Sequence, residues 1–252
     1  MDAIDIRTVW TDTITRDETE AFCRVVNAVF GNFCTEEYFT QKYLHNIYGP
    51  SAIILAYQDG QPVGACSLWR NDIGGREAYQ AADASVLADH RKQGVYTAML
   101  QARHRIAEQR GHVLLYTYPN PFSFPLLTKA GWQHHTLRKA LFLPGITPSA
   151  KVPAIDSAYA AWWLRHRQDI CRITRLGHHY LVKTLPLKGV ARVLGTIDED
   201  AARQFPTAPG PLFLLYRESR AATLLNRRLA AIPVAYRNAD DPQIPFWKMD
   251  SI

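Results

Sequence analysis

The stretch "VLADHRKQGVYTAML", residues 86–100, decides the fold. Upstream of it, "AYQAADASVL" (78–87) is strand-compatible and ends in Val86 and Leu87. Downstream, Val95, Met99, Ala102 and Ile106 recur at helical spacing as far as Gly111, which suits a helix C-terminus. Arg91, Lys92 and Gly94 stand at the junction. A strand, a tight basic loop and a long helix make an anion-binding arrangement. The unpaired N–H groups of the first helical turn and the positive end of the helix dipole converge on one spot. An ordinary strand-to-helix connection with solvated cations fits the same residues, so the surrounding pattern has to decide.

That pattern is regular as far as residue 143. "AIDIRTVW" (3–10) alternates as a strand. "TRDETEAFCRVVNAVFGN" (15–32) opens with a capping box, Thr15 to Glu18, and carries Phe22, Val25, Val26, Val29 and Phe30 on one helical face up to Gly31. "TEEYFTQKYLHN" (35–46) predicts a second, short helix. "SAIILAYQ", Asp59-Gly60 and "QPVGACSLWR" predict a hairpin, and "NDIGG" (71–75) a turn into the strand that ends at Leu87. After the long helix, "HVLLYTY" (112–118) reads as a buried strand, "PNPFSFPLLTKAGW" (119–132) as a short helix closing at Gly131, and "QHHTLRKALFL" (133–143) as a strand. The predicted order is β, α, α, β, β, β, α, β, α, β.

The Pro/Gly-rich "PGITPSAKVPA" (144–154) predicts a boundary, giving domains 1–146 and 154–252. Beyond it, "IDSAYAAWWLRHRQ" and "DEDAARQF" have helical character, and "HHYLVKTL", "VARVLGTI", "GPLFLLYRE" and "IPVAYR" continue an α/β alternation. A smaller C-terminal α+β lobe is expected. It shares an element rhythm with the first part but no visible sequence repeat.

Composition narrows the function classes. The chain has 252 residues, 47% of them hydrophobic, enough for a real core. No run is long enough to span a bilayer, and "MDAIDIRTVW" has no signal-peptide character, so the expected compartment is the cytoplasm. Cys23, Cys34, Cys66 and Cys171 form no CxxC pair and read as small buried residues of a reduced protein, with no zinc site. The net charge of +6 suits anionic partners, but the cations are interspersed with acids and no nucleic-acid motif is visible. An anionic small molecule accounts for the excess equally well.

"VLADHRKQGVY" resembles the acyl-CoA signature of the GNAT (Gcn5-related) N-acetyltransferase superfamily, particularly bacterial members with a C-terminal extension. Val86 precedes Arg91 by five positions and Gly94 follows Arg91 by three. "NPFSFPLLTKAGW" resembles the family's second motif, with Asn120, Ser123, Gly131 and Trp132 at its positions. The resemblance covers roughly residues 3–143. It implies a GNAT-like α/β (α+β) fold, a mixed, mostly antiparallel sheet flanked by helices. It also implies a transferase that uses acetyl-CoA as co-substrate and needs no metal.

On that reading, the amides of Gln93, Gly94, Val95, Tyr96 and Thr97 line the first helical turn beneath the coenzyme A pyrophosphate, and Gly94 permits close backbone approach. Arg91 and Lys92 add longer-range attraction. The strand ending at Val86-Leu87 splays from its neighbour and pairs with the pantetheine arm, beside which lie Asn120 and Ser123. Tyr96 stands where the family usually has Gly or Ala, as in relatives from surface-sugar gene sets. Leu127 stands where many members place a tyrosine general acid, so either another group protonates the thiolate, with Tyr118 the candidate acid, or the thiolate leaves with solvent help, or catalysis is lost. Asp83, an aspartate in a mainly apolar strand, is the candidate base. A structural carboxylate bonded to a neighbouring group is the other reading of Asp83.

The activity so implied is transfer of an acetyl group from acetyl-CoA to a primary amine of a small-molecule acceptor, by direct attack in a ternary complex. An amino sugar of surface-glycan assembly is the leading acceptor class, by the likeness of Tyr96 and of the aromatic-then-Asp tail at Asp250. The C-terminal lobe is expected to be a partial second GNAT-like unit that shapes the acceptor site. No nucleic-acid partner is expected, and a homodimer is compatible with the sequence. Leu127 motivates the alternative, a catalytically silent acyl-CoA-binding or protein-interaction module. His134-His135 and His178-His179 alternate across strands and cannot jointly grip a metal. Trp162-Trp163 are expected in the core.

Overall fold

The computed structural model describes residues 4–142, 154–167, 171–176, 179–184, 190–207, 212–218, 232–240, 242 and 244–245. Residues divide into two compact units. The first holds Met1–Thr117 with Tyr236–Asp240, and the second holds Tyr118–Ala235 with Asp241–Ile252.

The first unit contains β1 (Asp5–Trp10), α1 (Arg16–Phe30), α2 (Glu36–Phe39), a π-helical turn (Thr40–Leu44), β2 (Ala52–Gln58), β3 (Gln61–Arg70), β4 (Ala78–Val86), α3 (Val95–Gln109) and β5 (Leu114–Thr117). Its strands lie in the order β1-β2-β3-β4-β5. The first three pairings are antiparallel and β4–β5 is parallel. Local chemistry explains most of these elements. Thr15 and Glu18 cap each other's backbone at the start of α1, with Glu18 N–H 3.3 Å from Thr15 Oγ1 and Thr15 N–H 2.9 Å from Glu18 Oε2. Asp59 and Gly60 both have positive φ, 51° and 73°, as a two-residue hairpin turn requires. Ile53, Ile54 and Leu55 are all wholly buried, and neighbours on a strand point to opposite faces, so both faces of this sheet are covered. Phe22, Val25 and Val26 of α1 are buried as the spacing predicts. Phe30 is 51% exposed at the helix end, where the chain turns away at Gly31 and its ring lies 6.4 Å from that of Phe33.

Two features of this unit shape its site. A Cβ on Gly64 in β3 would lie 2.7 Å from Val95 Cγ1, so the glycine lets the first turn of α3 press onto the sheet. Gly64→Ala should therefore cost about 1–3 kcal/mol by overpacking and push Val95 outward. Paired denaturation and acetyl-CoA titration would check this, and an unchanged midpoint would refute it. The second feature is a bulge. Ala65 opposes Ser85 and Ser67 opposes Ala82, so Cys66 alone faces Asp83 and Ala84. Asp83 takes φ 51°, a left-handed conformation that aspartate tolerates better than most residues.

The second unit contains α4 (Ser123–Lys129), β6 (Gln133–Phe142), α5 (Ser157–Trp162), β7 (Cys171–Leu176), β8 (His179–Thr184), β9 (Val190–Ile197), α6 (Glu199–Ala202) and β10 (Leu212–Glu218), and β11 (Ile232–Arg237) follows. Its strands run β6-β10-β9-β8-β7, with β9–β10 parallel and the other pairs antiparallel. The compact units divide after Thr117, and β6 pairs with β10 among the C-terminal strands. Residues 143–153 lie outside the described residues, as do His178 and the tail with Asp250. Trp162 and Trp163 are buried in this unit, their rings 5.8 Å apart. The strand β7 escapes the sequence pattern, since its alternation of Cys171 and Ile173 with Arg172 and Thr174 is only four residues long.

Candidate active site

In the first unit, β4, the connecting loop and α3 bring Val86, Leu87 and residues 91–97 onto one strand–loop–helix. β4 pairs with β5 only from Ala78–Leu114 to Gln80–Tyr116, and Thr117 Oγ1 then donates to Ala81 O at 2.8 Å. β5 stops there, while β4 runs on to Val86 with β3 as its one strand partner among the described residues. This is the splay that an extended ligand could enter by strand-like pairing. Val86 O already accepts a bond from Arg91 Nε at 3.1 Å, so the arginine side chain folds back onto the strand end.

Gly94 is the N-cap of α3 with φ 85°, and no side chain caps the helix. The amides of Val95, Tyr96 and Thr97 thus open the helix without a side-chain acceptor. A Cβ built on Gly94 meets no atom within 4 Å, so the approach to these amides is open. Arg91, Lys92, Gln93 and Thr97 are exposed around it, and Gln93 Nε2 ties the loop by donating to Asp89 O at 2.8 Å. Val95 is buried and anchors the turn, and Tyr96 is half-buried, which raises its phenol pKa. These residues fit a diphosphate: open amides, a dipole and two exposed cations.

Asp83 does not stand as a free carboxylate. Its Oδ2 accepts from Lys42 Nζ at 2.9 Å and from the Tyr43 hydroxyl. Ser67 Oγ lies 2.8 Å from the same Tyr43 oxygen. The Lys42 side chain is 0% exposed and that of Asp83 8%. Lys42 Nζ also donates to Tyr38 OH at 3.1 Å, and the rings of Tyr38, Tyr43 and Trp69 surround it at 5.3, 5.0 and 5.1 Å. A second buried cation closes the bulge. Arg103 Nη2 donates to Ser67 O at 3.2 Å and to Ala82 O at 2.9 Å, while its Nε finds no partner among the described residues. Burial pushes the Cys66 thiol pKa up, against the pull of the neighbouring guanidinium. Sequence reasoning missed Lys42, Tyr43, Arg103 and Gly64. The one available signal was the i, i+4 pair of Tyr38 and Lys42 on a short aromatic helix.

Tyr118, Asn120 and Ser123 belong to the second unit. The Tyr118 hydroxyl donates to Pro245 O at 2.8 Å, and desolvation raises its pKa well above the usual phenol range. Both effects make it a poorer proton donor than an exposed tyrosine. Tyr118→Phe should cost about 1 kcal/mol of stability and leave kcat within a few fold. A hundredfold loss of kcat at unchanged acetyl-CoA affinity would instead make Tyr118 the acid. Asn120 Oδ1 accepts from Phe122 N–H at 3.0 Å and Ser123 N–H at 2.9 Å, so it shapes the turn into α4. Leu127 is 2% exposed on α4. Among the described residues, no group of three or more His, Cys, Asp or Glu could hold a metal ion, and no helix is long and apolar enough to cross a membrane.

Residues 11–135 match the model of the GNAT acetyltransferase domain. No curated protein matches the chain by sequence. The fold is similar to a GCN5-related N-acetyltransferase from Kribbella flavida, with 13% identity, 92% of this chain and 72% of that one covered, and a TM-score of 0.56. It is similar to a conserved protein from Enterococcus faecalis V583, with 11% identity, coverage of 93% and 72%, and a TM-score of 0.58. It is also similar to Eis1 from Mycobacterium abscessus, with 13% identity, coverage of 84% and 65%, and a TM-score of 0.55. At such identities the likeness is one of fold.

Proposed function

This chain belongs to the GNAT acetyltransferase superfamily through residues 11–135 and is an acyltransferase, and from that premise we propose that it moves the acetyl group of acetyl-CoA to a primary amine of a small-molecule acceptor. The observation that carries the proposal is the strand–loop–helix. An open β4 edge leads, through the loop 87–94, to the N-terminus of α3, whose N-cap is a left-handed glycine and which no side chain caps. The loop amides hold the diphosphate, Arg91 and Lys92 add charge, and the β4 edge orients the acyl arm. Attack is direct: the amine nitrogen bonds to the thioester carbon, the C–S bond breaks, and the thiolate leaves.

Leu127 supplies no proton, so the thiolate leaves with solvent help. The amine must be neutral when it attacks, and it sheds its proton to water. Asp83 serves this reading as the charge partner of Lys42, which fixes the bulge of β4 where that strand splays. An amino sugar is the favoured acceptor, supported by the likeness at Tyr96.

For the second unit, β7–β8–β9 in antiparallel order, then α6, then β10 parallel to β9, repeats the order of β2–β3–β4, α3 and β5. This supports a partial second GNAT-like unit. The buried Leu127 favours one other reading, an acyl-CoA-binding module without turnover. A thiol-release screen with acetyl-CoA against amino sugars, polyamines and peptides separates the two. Turnover with amino sugars supports the proposal, and saturable acetyl-CoA binding without turnover on any amine supports the module.

A further inference from the structure

Cys23 lies within α1, and Cys34 lies in the loop beyond the helix end. Their sulfurs are 3.3 Å apart, with the Cys34 thiol donating to Cys23 Sγ. A disulfide holds its sulfurs at about 2.05 Å, so closure needs an approach of only about 1.3 Å. The loop is held for it. Asn27, one turn beyond Cys23, donates through Nδ2 to Cys34 O at 3.0 Å and accepts from Cys34 N–H at 2.9 Å. Gly31 reverses the chain with φ 89°, and its N–H donates to Asn27 O at 2.9 Å.

The two thiols are not equivalent. Cys34 is 2% exposed, while Cys23 is partly open to solvent, so an oxidant meets Cys23 first. The bond from Cys34 lowers the pKa of Cys23, outweighing burial and the charges of Asp83 and Glu36, and it raises that of Cys34. An accessible thiolate-prone sulfur beside a buried thiol is the arrangement of a reacting and a resolving cysteine.

We propose that Cys23 and Cys34 form a hydroperoxide-reactive dithiol that closes to an intramolecular disulfide. The Cys23 thiolate attacks one peroxide oxygen: an S–O bond forms, the O–O bond breaks, and the leaving oxygen takes a proton as water or alcohol. The Cys34 sulfur then attacks the Cys23 sulfenic acid. An S–S bond forms, the S–O bond breaks, and hydroxide leaves as water with the Cys34 proton. Two thiols lose two electrons and the hydroperoxide gains them. The site stands independently of the acetyl-transfer reading.

Arg24 separates the two cysteines, so trypsin places them in different peptides unless a disulfide joins them. The full chain treated with hydrogen peroxide should yield the joined peptides, two hydrogens lighter than their sum, and reduction with dithiothreitol should part them. Cys34→Ser should leave a sulfenic acid at Cys23 that dimedone traps. Cys23→Ser should leave Cys34 alkylatable only after unfolding. Separate thiol peptides from the parent at a dose that oxidises free dithiothreitol would overturn the proposal. So would a link between two copies of the chain, or oxidation of Cys34 in Cys23→Ser at the parent's rate. Peptide mapping of the parent decides the question even if a variant fails to fold.

Discussion

Asp83→Asn should destabilise the protein by about 3–5 kcal/mol, the cost of leaving one member of a buried ion pair without its partner. The Lys42 side chain is wholly buried and its ammonium sits 2.9 Å from Asp83 Oδ2. Asparagine keeps an acceptor for the Tyr43 hydroxyl and tolerates the positive φ at the bulge, so neither hydrogen-bond count nor backbone strain explains the loss. The uncompensated charge does, and Arg103, a second buried cation in the same bulge, deepens it. For a chain of this size the loss corresponds to a fall in melting temperature of roughly 6–20 °C.

Adding Lys42→Met to Asp83→Asn removes the stranded charge and should recover much of the loss, a coupling that a double-mutant cycle reads directly. A base at Asp83 predicts the reverse pattern: a stable variant whose kcat/KM falls by about 10²–10⁴-fold. Melting curves and kinetics on the same preparations tell the two apart, and a stable, slow variant would make Asp83 the base.

The parts of this molecule legible in the sequence are those fixed by neighbours a few residues apart. The capping box at Thr15 and Glu18, the turn at Asp59-Gly60, the buried face of α3 and the junction at Gly94 all depend on local periodicity or on a single backbone requirement. The element order through β6 followed from the same signals. What stayed hidden depends on long-range placement. Asp83 and Lys42 are 41 positions apart, and only the β4 bulge and the π-helical turn bring them together. Arg103 sits between Ala102 and Ile106 and reads as a solvated cation. Its burial makes sense only once the bulge offers two carbonyls. Cys23 and Cys34 look scattered because nothing in an eleven-residue spacing shows that Asn27 folds the loop back onto its helix. β6 likewise pairs with β10, a partner more than seventy residues away.

Gly94→Asp should weaken acetyl-CoA binding strongly while the fold persists. The first turn of α3 presents its amides beside Gly94, and a carboxylate there would compete for them with the diphosphate. A unit charge about 4 Å from another costs about 1 kcal/mol in water and about 4 kcal/mol near a protein surface. Affinity should then fall roughly five- to several-hundredfold. Gly94→Ala supplies the control. Its Cβ meets no atom within 4 Å, so it carries only the strain of a side chain at φ 85°, about 1–2 kcal/mol of stability. If the strand–loop–helix holds the diphosphate, calorimetry should show the alanine variant binding within a few fold of the parent and the aspartate variant far weaker. The gap between them should narrow as salt screens the exposed charge. Equal affinities for the two folded variants would take the loop out of the site, and the open edge of β4 would then have to be explained without a coenzyme.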